Sequence, residues 1–440
     1  MGCEVYDQEL VAPRLPAQIA LVDGGSQQAV DVAAVLAGDA GPRATATPVG
    51  FDSGIGRAAA APNRGDVNDA EDAGVTEIPS EAPPAADSGV RADASSEAAQ
   101  TSDACSVDCG YGWQRRLIID GSQVSEPLSD FPVLVRLSNA QLAANAAVGA
   151  EDLYFTADDR LTVLDFEIEH YEPQGELVAW VRVPTLEAGV DTTLYFGYGD
   201  GKSGRAKPSA VWSAFHNVWH LAEDPSAGDS AIRDSTERAH GTAHNSMTAQ
   251  DSVSGLAGRA LDFDGIDDEV TFYNDLWGSG PSTFSGWVKQ AGSLGEYGTS
   301  MISVGDGTAN GSARFMLSHA DDGRVKCGFM GDDDLTTAVL PLDEWKYLSW
   351  TWDGRESAVY IDAVRVLGPA RHTQVATTGL VGKLGSSSFR FEYFLFGQLD
   401  ELHIATAARS SAWIAAEHAN QRPASTFVQL VGEPEPGVAH

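Results

Sequence analysis

From Tyr111 onward the chain is a succession of short runs in which apolar and polar residues alternate, each run broken by Gly, Asp, Asn or Pro. A period of two sends successive side chains to opposite faces of a strand, so these runs fit half-buried sheets and fit helices poorly. "RRLIID", "FPVLVRL", "DLYF", "VLDFEIEHYE", "LVAWVRV" and "TLYFGYG" predict a β-sandwich over 111–205. In the fourth run Leu164, Phe166 and Ile168 share one face, and Asp165, Glu167 and Glu169 share the other, expected to be the wet side. "LSNAQLAANAAVG" is the one helical stretch in this unit.

A second series follows Asn217, from "VWHL", "RALDF" and "EVTFY" through "YLSWTWDG" and "SAVYIDAVRV" to "YFLFGQLDELHIA". Many short strands with Gly- and Asp-rich turns predict a two-sheet jelly roll. Leu348, Trp350 and Trp352 alternate onto one face as core, Asp353-Gly354 suits a tight hairpin turn, and Cys327 reads as a buried free thiol. "SSAWIAAEHANQ" predicts a short C-terminal helix capped by Ser410 or Ser411, with Trp413, Ile414 and Ala416 facing the sandwich. The fold class is therefore all-β.

Residues 1–110 have a different character: acidic, rich in Ala, Gly, Pro and Ser, and poor in aromatics. Such a segment buries too little apolar surface to offset its ordering entropy and is expected to be a disordered tether. Over the whole chain 63 acids face 28 bases, a formal charge of -35, which repels phosphate backbones and anionic membrane surfaces. Nucleic acid is excluded as a partner on this ground, and no apolar run is long enough for a transmembrane segment. Cys3 follows Met-Gly at the head of the polar tail, an arrangement that resembles a bacterial lipoprotein just past its lipid-modified cysteine; a chance early cysteine is the alternative. Cys105 and Cys109 are close enough in "ACSVDCG" to form a small disulfide.

The catalytic motifs fail on inspection. Lys202-Ser203 occupies the end of a phosphate-loop pattern, but Phe196 stands where its first glycine belongs. His216 and His220 have zinc-protease spacing without the intervening Glu and on a strand-like run, so they read as structural. Neither Gly-x-Ser-x-Gly nor the Glu-x-Asp pair of jelly-roll glycosidases occurs. "ALDFDGIDDEV" is not an EF-hand: counted from Asp262, glycine comes fourth and the twelfth residue is Tyr273, so the cluster reads mostly as a polar turn between strands.

In order, "VWHLAED", "IRDSTERAHGTA", "GRALDFDGIDDEV", "STFSGWVK", "DEWKYLSWTWDG", "VYIDA" and "GQLDELHIATAARSSAWIAAEHANQ" closely resemble the LamG-like, concanavalin A-like jelly-roll family of bacterial surface and secreted proteins. The resemblance covers roughly 211–430, and we set this domain at 211–432. The preceding unit, with "YGWQRRLIID" and "LVAWVRVP", looks like a bacterial domain of unknown function that commonly accompanies such jelly rolls. The family implies a non-catalytic module for carbohydrate or protein, often with one structural calcium. Carried over by position, that ion's ligands are Asp234, Asp264, Asp268 and Asp400. The chain departs from the family at Ala363, where a turn glycine is usual, and in the loop after Asp234.

The expected protein is a cell-envelope or secreted binding protein, an outer-membrane lipoprotein if Cys3 is lipidated. It would present its jelly roll to a polysaccharide, a surface glycan or another envelope protein. A glycan hydrolase or lyase with an unrecognised carboxylate pair, and a structural surface stalk, are the alternatives.

Overall fold

A computed structural model of the chain describes residues 112–438 except 139, 174–175, 293–297, 320–321, 374 and 390–392. Residues 1–110, expected from the sequence to form a tether, and with them Cys3, Cys105 and Cys109, lie outside the described residues. The described residues all fall within one compact unit, Glu97–His440.

The first strands are β1 (Trp113–Ile119), β2 (Leu128–Ser138), β3 (Tyr154–Ala157), β4 (Phe166–Glu172), β5 (Glu176–Leu186) and β6 (Thr192–Tyr198), with helix α1 (Ala140–Asn145) after β2. Helix α2 (Pro208–Val211) leads to β7 (Asn217–Trp219), β8 (Thr242–His244), β9 (Ser252–Ser254), β10 (Arg259–Asp264), β11 (Glu269–Tyr273) and β12 (Ser282–Gly292). Then come β13 (Gly298–Gly305), β14 (Ala313–His319), β15 (Arg324–Phe329), β16 (Asp332–Val339), β17 (Trp345–Trp352), β18 (Glu356–Ile361) and β19 (Val364–Arg371). The chain closes with β20 (Val381–Leu384), β21 (Phe396–Ala405), α3 (Ser411–Gln421) and β22 (Val428–Pro436).

The sandwich packs a three-stranded sheet, β2-β5-β4, on a four-stranded one, β22-β1-β6-β3. Phe155 of one sheet meets Phe166 of the other edge-on at 5.4 Å, and Leu117, Ile119, Val133 and Val135 fill the space between. The last strand, β22, pairs antiparallel with β1, Ile119 opposite Val428 and Trp113 opposite Pro436. It therefore completes the first sandwich and not the jelly roll, in which the boundary 211–432 places its first residues.

The jelly roll stacks a seven-stranded sheet, β16-β15-β14-β13-β20-β11-β8, on an eight-stranded one, β19-β18-β17-β12-β21-β10-β9 with β7 beside β21. Its core holds Phe284, Phe329, Trp350, Trp352 and the free thiol of Cys327, all fully buried as their alternation predicts. Trp350→Ala would leave a cavity costing about 3–5 kcal/mol.

The eight-stranded sheet is buried on its outer face too. Ser410 caps α3 by accepting the Trp413 N–H, and Ile414 then covers Trp287, Tyr347 and Tyr360 on that face. Next to α3, the outer face of β21 lies under the first sandwich, where Trp180 of β5 packs on His403 of β21. This covered face positions the site described below.

Candidate functional site: a buried carboxylate and imidazole cluster

The cluster starts from a break in alternation. In "QLDELHI" Leu399, Leu402 and Ile404 all enter the jelly-roll core, so one residue between them must be extra. The register of β21 against β12 shifts between Trp287, opposite Asp400, and Ser285, opposite His403. Glu401 sits in this bulge with φ 51°, a strained left-handed conformation. As a result Asp400, Glu401 and His403 all leave the core on the outer face.

There they meet the supposedly wet face of β4, which corrects the sequence expectation: the Glu167 and Glu169 side chains are 12% and 1% exposed, because β21 and His220 lie over them. His220, just after β7, stands between two carboxylates, with Nδ1 2.9 Å from Glu401 Oε2 and Nε2 3.4 Å from Glu167 Oε2. Glu401 Oε2 lies 3.1 Å from His403 Nε2, and His403 Nδ1 lies 2.9 Å from Glu417 Oε1 on α3. Glu167, His220, Glu401, His403 and Glu417 thus alternate acid and imidazole from the first sandwich through the jelly roll to the terminal helix.

Three indoles fasten the acids. Trp180 Nε1–H donates to Glu169 Oε2 at 2.8 Å and Trp413 Nε1–H to Glu417 Oε2 at 3.1 Å, while Trp212 donates to Glu167, whose other oxygen accepts Ser235 Oγ–H. Asp400 Oδ2 accepts the N–H groups of Leu256 and Ala257.

The electrostatics follow from burial and partners. Burial alone would deprotonate His220 and His403 and protonate Glu401. The neighbouring charges win: Glu401 and Glu167 hold His220 well above its ordinary value, Glu401 and Glu417 raise His403, and the two imidazoles hold Glu401 down to about 2. Glu169 and Asp400 go the other way, raised well above the carboxylate range by burial and then by the Glu401 charge. Glu169 Oε1 and Asp400 Oδ1 have no hydrogen-bond partner among the described residues.

Loop 254–259 closes the cluster on one side. Gly258 takes φ +73°, and a Cβ there would stand 2.8 Å from Glu169 Oε1, so only glycine lets the loop approach this closely. Above it opens a groove of 530 Å³ lined by Arg136, His170, Glu172, Glu176 and Arg259 among others. Glu169 and Glu401 bring carboxylate oxygens within 4.8 Å, yet both side chains are almost fully buried beneath this groove, out of reach of a glycosidic oxygen.

The four aspartates carried over as calcium ligands do not meet. Asp234 is fully buried, and both its oxygens are taken by donors from Asn217, Val218, Thr236 and Ala239, which makes it the brace of its own loop. Asp400 belongs to the cluster above, and lies four residues along β21 from Phe396, the partner of Asp264, about 13 Å away. Only Asp264 and Asp268 come together, joined by Asp267, with oxygens within 4.8 Å. There Asp264 Oδ1 caps the N–H groups of Ile266 and Asp267, and Asp268, raised to about 7 by burial, accepts the Asp264 N–H. One ion cannot be held by the quartet.

Sequence reasoning passed over Glu167, Glu169, His220, Glu401, His403 and Glu417. The one local signal was the doubled acid Asp400-Glu401 between Leu399 and Leu402, which no regular strand accommodates.

A second exposed feature lies on the seven-stranded sheet. Tyr273 stands opposite Val381, and Trp277 Nε1–H donates to Gly379 O at 3.1 Å beside Leu380. Tyr273 and Trp277 are 55% and 58% exposed, and Leu380 and Val381 50% and 45%. Tyr273 and Val381 pair across β11 and β20, and Trp277 and Leu380 stand in the adjoining loops.

Among solved structures, domain 4 of AbnA, a GH43 extracellular arabinanase from Geobacillus stearothermophilus solved with arabinotriose, is 18% identical, with a TM-score of 0.35 over 46% of this chain and 98% of its own. The receptor binding domain of botulinum neurotoxin mosaic serotype C/D is 11% identical, TM-score 0.36, over 49% of this chain and 52% of its own. A Trypanosoma rangeli sialidase is 11% identical, TM-score 0.34, over 55% of this chain and 40% of its own. The chain thus spans about half of the toxin domain and less than half of the sialidase. No curated protein matches it. Residues 264–415 match the family model for the concanavalin A-like lectin/glucanases superfamily, and the two-sheet part of the chain is a concanavalin A-like jelly roll.

Proposed function

We propose that the chain is a non-catalytic binding protein of the cell envelope or the secreted fraction, which recognises carbohydrate through its jelly roll. The observation that carries this reading is the exposure of Tyr273, Trp277, Leu380 and Val381 along one end of the β11–β20 pair: two large rings and two aliphatic side chains facing water. Such a patch needs a partner, and flat ring faces suit the apolar faces of sugar rings. The burial of Glu169 and Glu401 supports the non-catalytic part of the proposal, since a hydrolase needs its carboxylates at the substrate. Among the described residues, a structural calcium falls to the acidic turn of Asp264, Asp267 and Asp268.

A polysaccharide and glycan array probed with the full chain tests the reading. Binding to one glycan class is expected, weakened about 10–30-fold by Trp277→Ala and by Tyr273→Ala. Silence across neutral and acidic glycans, or unchanged binding by both variants, overturns it. A protein ligand captured through the same two residues would move the function to protein recognition. For the ion, calcium titrated into chelated protein should raise the Tm, and Asp264→Asn should abolish the rise.

A further inference from the structure

We infer that Glu169, His220 and Glu401 hold a divalent transition-metal ion of the Zn2+ or Mn2+ type, which clasps the first sandwich to the jelly roll. The donor atoms of the three residues all lie within 4.8 Å of one another, with His220 Nδ1 2.9 Å from Glu401 Oε2 and 3.7 Å from Glu169 Oε2. Metal bonds of about 2.0–2.2 Å in tetrahedral or octahedral geometry set donors about 3–3.5 Å apart, so small adjustments bring these atoms around one ion. A set of one imidazole and two carboxylates suits Zn2+ or Mn2+ better than Ca2+, which prefers six or more oxygens.

The surroundings are those of ligands held in place. With Nδ1 on the metal, His220 would donate its Nε2–H to Glu167, itself fixed by Trp212 and Ser235, which is how ligating histidines are oriented. Trp180 fixes Glu169 by one oxygen and His403 fixes Glu401. Independent of the cluster's composition, the second oxygen of the ligand Glu169, Oε1, and Oδ1 of the neighbouring Asp400 are buried and lack any donor among the described residues. Buried oxygens are mostly paired, and an unpaired carboxylate oxygen beside an imidazole is accounted for by a cation or a bound water. The acidic turn at Asp264, Asp267 and Asp268 has no oxygen of this kind among the described residues, which separates the two clusters.

The test uses the full chain, first with its metal content measured as purified, then stripped and titrated separately with Zn2+, Mn2+ and Ca2+. One equivalent of Zn2+ or Mn2+ should bind and raise the Tm by several degrees, with Co2+ giving visible absorption. Glu169→Gln and Glu401→Gln should weaken binding by at least about 100-fold, and Trp180→Phe, which removes the donor to Glu169 and part of the ring packed on His220 and His403, by about 10-fold. If either Gln variant fails to fold, Trp180→Phe carries the test. Asp264→Asn/Asp268→Asn should bind as the parent does. No stoichiometric metal, unchanged affinity in the Glu169 and Trp180 variants, or loss of the ion in the Asp264/Asp268 variant overturns the inference. None of these readouts depends on glycan binding.

Discussion

Asn420 and Leu134, 286 residues apart, are joined by a pair of hydrogen bonds: the Asn420 amide accepts the Leu134 N–H at 2.7 Å and donates to the Leu134 carbonyl at 3.0 Å. β2 is the edge of its sheet, so this one side chain stands in for a neighbouring strand and docks α3 on the first sandwich. Asn420→Ala leaves both backbone groups buried and unpaired, which should cost about 2–4 kcal/mol by urea unfolding. Asn420→Asp keeps the acceptor, loses the donor and should still destabilise. An unchanged midpoint in both variants would mean the edge is satisfied in another way.

Ala363 and Asp362 form the hairpin turn between β18 and β19 with φ of 62° and 48°. A Cβ in this region costs about 1–2 kcal/mol, partly offset in Ala363→Gly by greater freedom of the unfolded chain. Ala363→Gly should therefore stabilise by about 0.5–1 kcal/mol, a rise of about 1–3 °C in Tm. A fall would show that the Ala363 methyl contact with the core around Trp287 outweighs the strain.

His372 locks the edges of the two jelly-roll sheets. Its Nε2 lies 3.0 Å from Asp334 and 2.8 Å from Ser357 Oγ, and its Nδ1 3.3 Å from Asp332, so β16 of one sheet is tied to β18 of the other. Burial opposes the charged ring, but Asp334 and then Asp332 outweigh it and raise its pKa. A raised folded value means this stabilisation is full below about pH 6.5, the unfolded value, and fades as pH rises through the folded one. The Tm gap between the parent and Asp334→Asn should thus be largest, about 2–4 °C, near pH 6 and shrink toward pH 9. A gap that does not change with pH would assign the lock to the Ser357–Asp334 hydrogen bond instead.

Gly258→Ala combines left-handed strain with a 2.8 Å approach to Glu169 Oε1, whereas Gly432→Ala at φ +74° meets nothing within 4 Å. Strain alone predicts about 1–2 kcal/mol for each. The Gly258 variant should lose about 1–2 kcal/mol more by displacing the carboxylate. Equal losses would indicate that the 254–259 loop moves aside freely.

Much of the fold was legible because alternation is a local property: β12, β17 and the Ser410 cap of α3 follow from their own residues. What alternation cannot say is what comes to lie on the polar side. Glu167 and Glu169 therefore read as solvated, although β21, which starts 227 residues after Glu169, covers them. His220 of "VWHL" reads as structural because its strand-like run shows no partner, and nothing in "ELHIA" singles out His403 at all. β22 escaped notice because "VQLVGEPEP" carries two prolines and no strong alternation; its strand character comes from the waiting edge of β1. The aspartates carried over by position failed to meet because a shared motif fixes neither which oxygens neighbouring amides already occupy nor how far apart strand register sets the residues.

Because β22 returns to β1, with Trp113 opposite Pro436, the jelly roll is an insertion in a single sheet, leaving after β6 and coming back before β22. Force applied between these two ends would open the β1–β22 ladder one rung at a time, like a zipper, before any load reached the inserted domain. The surface of Tyr273 and Trp277 therefore lies off the mechanical line between the ends, and a tug on the chain would first spend itself on a ladder that can re-close.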